Sequence, residues 1–177
     1  MMLDLARCLV SWLQHGTYGV TALLAGASVA RDAGDPLPTI VTITDEFSDK
    51  RVAAGRLPEL LPALVVDVAG VSVVENQAVM DQGDGQIVAR VRYGAAGVDL
   101  AAAKEAGSYV MRAVAQSLRI LNRQQHEAAR TRNSIRFRPA SNGAVDVRPY
   151  LETIEDTVVT GLCVVTYDLR DFATLPA

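Results

Sequence analysis

Apolar and polar positions alternate along this chain with periods that change from segment to segment. Those periods predict an ordered series of elements. From Met2 to Gln14, the residues Met2, Leu5, Ala6, Leu9, Val10 and Leu13 recur at helical spacing, with Asp4, Arg7, Ser11 and Gln14 opposite. Gly16 stops this helix, and Thr17 is placed to cap a second, short one running through Ala25 to Gly26. Arg31 to Pro38, with Gly34, Asp35, Pro36 and Pro38, reads as loop.

The period then shortens to two. Thr39–Thr44 is β-branched and predicts a strand, and Asp45–Pro62 is a mixed connection. Ala63–Val68 predicts a second strand, continued over Val71–Glu75 after an interruption at Gly70. Gln86–Tyr93 alternates most cleanly: Ile87, Ala89, Val91 and Tyr93 share one face, and Gln86, Arg90 and Arg92 share the other. Asp84-Gly85 precedes it as a turn signal.

At Asp99 the period returns to the helical value. Asp99 is the predicted cap of a long helix whose seam runs through Leu100, Ala103, Gly107, Val110, Val114, Ser117 and Leu121, widened by Leu118. Glu105, Ser108, Arg112, Gln116, Arg119 and Arg123 fall off that seam. Ala and Gly in the seam suit a helix seated flat on a sheet, whereas a free coiled coil requires larger residues there.

The polar stretch Asn122–Asn133 either extends this helix or forms a loop. Beyond it, Ile135 and Phe137 alternate with Arg136 and Arg138, and Val145 and Val147 alternate with Asp146 and Arg148. A hairpin with a three-residue Ser141-Asn142-Gly143 loop sets Phe137 opposite Val147, whereas a two-residue turn scrambles the faces. Thr157–Leu169 is the expected last and longest strand. Val159, Cys163, Val165, Tyr167 and Leu169 lie on one face, Gly161 marks a bend or bulge, and Val158, Leu162 and Val164 make the second face partly apolar. The expected fold is therefore α+β. A mixed, mainly antiparallel sheet packs against an N-terminal helix and one long Ala-rich helix, with an added β-hairpin, in one domain over residues 1–177.

Half of the 177 residues are hydrophobic and 5% are aromatic, so Val, Leu, Ile and Ala must fill the core. Cys8 and Cys163 stand far apart without a CxxC spacing, and both read as buried small hydrophobes in a reducing compartment. Asp4 in place of a basic leader, and Gln14, His15 and Gly16 within the apolar run, argue against a signal peptide or a membrane span.

Charge is unevenly spread. The net value is −3, yet Arg112–Arg148 carries eight Arg against Glu127 and Asp146, while Met1–Leu100 and the segment from Pro149 onward are both acidic. Such asymmetry suggests opposite-charge surfaces that meet between identical subunits.

Catalytic signatures are scarce. The sequence has no HExxH, Walker loop, GxSxG or Rossmann fingerprint, and it has only two histidines. His126 sits among Arg123, Gln124, Gln125 and Glu127 and reads as a solvated surface residue; His15 reads as a helix C-terminal contact. Asp45, Glu46 and Asp49, followed by Lys50, lack the spacing of a nuclease metal site and read as a solvated loop. Asp81 and Asp84 mark a turn, since their spacing and ligand number do not suit calcium. No catalytic, cofactor-binding or metal-binding residue is assigned, and no enzymatic activity is expected.

The candidate functional residues are arginines: Arg123, Arg130, Arg132, Arg136, Arg138 and Arg148. They fit a subunit or partner interface, since Arg pairs bidentately with carboxylates as well as with phosphates. Direct nucleic-acid binding is the alternative for the Arg119–Arg148 cluster, although only Phe137 is available for base stacking.

The element order carries a resemblance. The opening helix, the strands TIVTIT, ALVVDV and QIVARVRYG, the helix DLAAAKEAGSYVMRAVAQSLRIL and the strand DTVVTGLCVVTYDL together resemble a tail terminator of long-tailed bacteriophages, of the lambda type. The resemblance runs over most of the chain through element order and texture, with the Asn133–Tyr150 hairpin and the Asp45–Pro62 connection as additions. It implies a homo-oligomeric, hexameric ring that caps the tail tube, ends its polymerisation and joins the tail to the head. The implied partners are other copies of the chain, the tail tube protein and a head-completion or neck protein. DNA passes through the lumen, without sequence-specific binding. The implied location is the virion, at the head–tail junction, after assembly in the host cytoplasm, with no membrane contact. A basic lumen retards DNA, so the arginine hairpin is expected to face a subunit, and reversing Arg136 and Arg138 is expected to weaken assembly. Alternatives are another connector, neck or tube protein, a nucleic-acid-binding module, or a small enzyme with carboxylates on separate loops.

Overall fold

The computed structural model describes residues 2–26, 40, 42–48, 60–74, 84–96, 99–132, 135–139, 145–154 and 157–168. The fold is α+β. In chain order the elements are α1 (Met2–Leu13), α2 (Val20–Ala25), β1 (Thr42–Asp45), β2 (Ala63–Val74), β3 (Asp84–Ala96), α3 (Leu100–Leu121), a kinked 3-10 segment (Gln124–Arg130), β4 (Thr131–Arg132), β5 (Ile135–Arg136), β6 (Arg138–Pro139), β7 (Val145–Ile154) and β8 (Thr157–Asp168).

Six strands form the main sheet, in the order β1-β2-β3-β8, with β6 and β7 both paired to β8. β1 runs parallel to β2, and every other pairing is antiparallel. The interruption expected at Gly70 appears as a register shift between Ala69 and Val71 inside one continuous strand. The irregularity expected at Gly161 is present too: Tyr93 pairs with Gly161, and the next residue, Gly94, pairs with Val159.

Leu64, Val66 and Val68 of β2, Ala89, Val91 and Tyr93 of β3, and Cys163, Val165 and Tyr167 of β8 bury one face of the sheet in a single core cluster with α1, α2 and α3. The opposite face is different chemically. Its cross-strand rows run Asp67–Arg90–Val164–Asp146 and Val65–Arg92–Leu162–Arg148. Val88, Leu162, Val164 and Thr166 are half-buried there, and among the described residues no helix lies on it.

The long helix is built as its sequence directs. Asp99 Oδ1 accepts from the N–H groups of Ala101 (2.9 Å) and Ala102 (3.2 Å). These two groups have no intrahelical acceptor, so the cap supplies one. Ala103, Gly107, Val110, Val114, Ser117, Leu118 and Leu121 are buried as the seam demands, with Met111, Ala113 and Ala115 added. Small residues bring α3 so near the sheet that a Cβ on Gly161 would lie 2.3 Å from Met111 Cγ. Further ties cross the helical layer: Trp12 Nε1 donates to Ser117 O (2.9 Å), and Ser117 Oγ donates to Tyr18 O (2.7 Å).

Several expectations are corrected. Leu100, assigned to the seam, is 46% exposed, because the first helical turn overhangs the end of the core. Asp4, assigned to the polar face of α1, is buried. The second helix starts at Val20 with Gly19 as its cap, since Thr17 instead gives its N–H to His15 Nδ1 (3.1 Å), as Tyr18 does (3.2 Å). The hairpin expected between Ile135–Arg138 and Val145–Arg148 does not form. β5 turns back on β4, β6 joins the end of β8, and β7 and β8 are the two arms of a hairpin. Phe137 is fully buried between β5 and β6; seating that ring in the core breaks the alternation on which the expected pairing relied. The loop 141–143 lies outside the described residues. The last strand is not the longest, since β3 has 13 residues to its 12.

Candidate interaction surface

The six sequence-selected arginines part company in the folded chain. Arg130 is only 5% exposed: its guanidinium points at Phe137 O (Nη1 to O 3.4 Å), and its own carbonyl accepts from Phe137 N–H (3.0 Å). It fastens the β5–β6 junction to the 3-10 segment and presents no outward surface. Arg132 is half-buried on β4. Arg148 is exposed, but its Nε donates to Asp146 Oδ2 at 2.6 Å, which spends much of its charge locally. Arg136 and Arg138 lie on β5 and β6, and their side chains fall outside the described residues. Arg123 alone joins a larger arrangement.

That arrangement is a stripe along the outer face of α3, continued by Arg123 just past the helix end. Glu105, Ser108, Arg112, Gln116, Arg119 and Arg123 recur at three, four and seven residues and so lie one above another. Five of them are exposed and Gln116 is half-buried. Toward its C-terminal end the stripe borders a groove of about 530 Å³, lined by Arg112, Ala115, Gln116, Arg119, Ile120, Arg123 and Val147. Val147, on the outer strand β7, is 42% exposed. Ala115, Ile120 and Val147 give the groove an apolar floor. Three guanidinium groups edge it, and among the described residues its lining holds no carboxylate. The Arg112 guanidinium carbon also lies 6.0 Å from the Tyr109 ring centroid. Such a groove suits an acidic or aromatic group with an apolar body. The spacing of Arg112 and Arg119 was visible in the sequence; the contribution of Val147 was not, because it depends on which strand pairs with β8.

On the far face of the sheet, Asp67 is 7% exposed and lies opposite Arg90. Arg92 Nη2 sits 2.8 Å from Asp67 Oδ2, and Arg90 Nε sits 3.3 Å from Oδ1. The second contact has ion-pair distance without hydrogen-bond alignment, since Asp67 Oδ1 makes no hydrogen bond. A buried carboxylate held by two cations is a structural device that ties β2 to β3, with a net +1 left on the two partly exposed arginines. Sequence reading put Arg90 and Arg92 on this face but missed their partner.

Two further groups take roles other than those expected. Asp45, read as part of a solvated loop, is 2% exposed, and its Oδ1 accepts from the N–H groups of Phe47 (2.9 Å) and Ser48 (2.7 Å). Glu46 Oε1 accepts from Val68 N–H (3.2 Å). These bonds make a tight turn after β1 that carries Phe47 at 48% exposure. Asp49, Lys50 and Asp81 lie outside the described residues. His126, read as solvated, is half-buried with its ring 5.2 Å from Trp12 and 5.0 Å from Tyr18, because the kinked 3-10 segment folds back over α1. His15 joins the same group, 5.0 Å from Trp12 and 5.3 Å from Tyr18.

Cys8 and Cys163 are free and buried. Burial pushes the Cys8 thiol up to about 11 and the Cys163 thiol to about 12, in each case against a nearby arginine that acts in the other direction. Cys8 Sγ donates weakly to Ala129 O (3.0 Å). Neither thiol has the electropositive, exposed setting of a nucleophile. Among the described residues no group of three or more His, Cys, Asp or Glu side chains gathers around one point, and no helix is long and apolar enough to cross a membrane. The chain matches no protein-family model and no curated protein.

Proposed function

We propose that this chain is a structural ring subunit of a phage tail: a homo-oligomer that caps the tail tube, ends its growth and joins the tail to the head. The observation that carries the reading is the separation of unlike surfaces on one thin α+β layer. A basic, apolar-floored groove lies at the β7 edge, and a fixed turn that presents an exposed aromatic, Phe47, lies at the β1 edge. A closed ring needs two different, mutually complementary patches on each subunit. The order of elements, from the opening helix to the long final strand, supports the choice of a tail terminator among ring proteins.

The reading requires other copies of the chain, the tail tube protein and a neck or head-completion protein as partners, in the virion at the head–tail junction. DNA is a passing cargo. Three of the exposed arginines, Arg112, Arg119 and Arg123, border one groove whose described lining holds no aromatic ring, which favours a protein contact over base stacking. The test is imaging of purified protein alone and mixed with tail tubes. Rings that seat at one end of the tubes and stop their elongation are the expected result. A protein that leaves tube length unchanged and never decorates a tube end overturns the proposal.

A further inference from the structure

The ring reading leaves open how one subunit grips the next, and the exposed apolar side chains supply an answer that rests on that reading. Among the described residues the large hydrophobics left most exposed are Phe47, Leu100 and Val147. Val147 belongs to the floor of the arginine groove. Phe47 stands on the turn that follows β1. The strand order puts β1 and β7 at opposite edges of the main sheet, four strand spacings apart, or about 19 Å. The groove of one molecule therefore cannot be filled by its own Phe47.

We infer that Phe47 of one copy inserts into the α3–β7 groove of the next, so that subunits join head to tail through a knob and a socket. The knob is pre-set: Asp45 Oδ1 holds the N–H groups of Phe47 and Ser48, which fixes the turn before any partner arrives. Little order is then left to be imposed on binding. The socket matches it chemically. Ala115, Ile120 and Val147 receive the ring, and Arg112, Arg119 and Arg123 stand where a guanidinium stacks on an aromatic face or faces the charge of the half-buried Glu46 carboxylate, whose Oε1 also accepts from Val68 N–H. Arg7, whose Nε lies 3.4 Å from Ser48 Oγ, sets a positive charge at the base of the knob and so limits the attraction.

Direct pairing of strand edges explains the contact less well. Gln14 Nε2 already donates to Ile43 O (3.0 Å), blunting β1. β7 carries Asp146, Arg148 and Pro149 and an irregularity between Pro149 and Glu152, and such features discourage edge-to-edge pairing. A side-chain knob needs neither edge.

The experiment uses two full-length variants, Phe47→Asp and Arg119→Glu. Both positions are exposed, so circular dichroism should match the wild type and show that each variant folds. Self-association is measured by sedimentation. Each variant alone is expected to lose affinity for itself by about thirtyfold or more, the loss typical of a buried interface anchor. Mixed one to one, they should form heterodimers only, because the intact socket of Phe47→Asp accepts the intact knob of Arg119→Glu. Wild-type rings with both variants still assembling normally overturn the knob and socket and leave the ring reading standing. Failure of the mixture to dimerise, which is the behaviour of a symmetric contact, also overturns the inference. So does intact assembly of Arg119→Glu accompanied by loss of salt-dependent DNA binding, since the groove would then be taken by nucleic acid. A wild-type chain that never associates removes the ring reading itself.

Discussion

Replacing Gly161 by alanine tests the close seating of α3 on the sheet. A methyl group at that position meets Met111 Cγ at 2.3 Å, Sδ at 3.0 Å and Cε at 3.3 Å. Ordinary carbon contacts begin near 3.5 Å, so Met111 must shift by roughly an ångström. Its first side-chain carbons cannot swing away as easily as its terminal methyl. Overpacking of this kind costs about 1–3 kcal/mol, offset by about 0.4–1 kcal/mol from the stiffer unfolded chain. A net loss of about 1.5 kcal/mol follows, which for a chain of this size lowers Tm by about 3–6 °C. Met111→Ala alone removes a buried side chain and should cost about 2–5 kcal/mol. In the double variant the clash is gone and the new methyl enters the vacated space, so the two costs should fall short of additivity by at least about 1 kcal/mol. Urea unfolding at fixed protein concentration, followed by Trp12 fluorescence and far-ultraviolet dichroism, measures all three. Strict additivity, or a Gly161→Ala variant as stable as the parent, would refute the close approach of helix and strand.

Other consequences can be measured in the same way. Asp99→Ala removes the acceptor for two N–H groups at the start of α3 and should cost about 1 kcal/mol in urea unfolding, with Asp99→Asn largely retaining stability. Asp67→Ala removes the carboxylate that Arg90 and Arg92 share and should cost about 1–2 kcal/mol, since both guanidinium groups are partly exposed and regain water, whereas reversing exposed Arg148 should cost under about 1 kcal/mol. Burial raises both thiols above their unfolded values, so the folded chain holds those protons more tightly. The stability they contribute is complete below about pH 9 and is lost as pH rises toward 11 and 12, at about 1.4 kcal/mol per pH unit for each thiol. Cys8→Ala should flatten that alkaline decline in a series of unfolding curves. Both thiols should also resist a thiol-specific reagent at pH 8 until urea is added.

The layers of this fold are written locally, and that is why the sequence reveals them. Asp99, the small seam residues Ala103 and Gly107, and the alternation of Ile87, Ala89, Val91 and Tyr93 each act over a few residues. Gly70 and Gly161 likewise mark their irregularities in the chain itself. What the sequence conceals is decided by partners far away. Phe137 has a hairpin pattern on either side, yet the core draws it in, and its neighbours pair with β4 and β8 instead. Arg130 has the composition of a surface arginine and is buried because the backbone at Phe137 gives it an acceptor. Asp45 sits in a polar run but turns inward to close the turn that presents Phe47. The groove combines a helix stripe, legible at Arg112, Arg119 and Arg123, with Val147 from a strand whose pairing no local pattern specifies.

The central claim is that the two edges of this thin layer complement each other between copies. Its most direct measure is the mass of the purified chain in solution across a wide range of concentration, at low and at high salt. The account predicts closed multimers of one size that dissociate on dilution, and do so more readily when salt screens the arginine groove. A chain that keeps the mass of one subunit at every concentration and salt would contradict it.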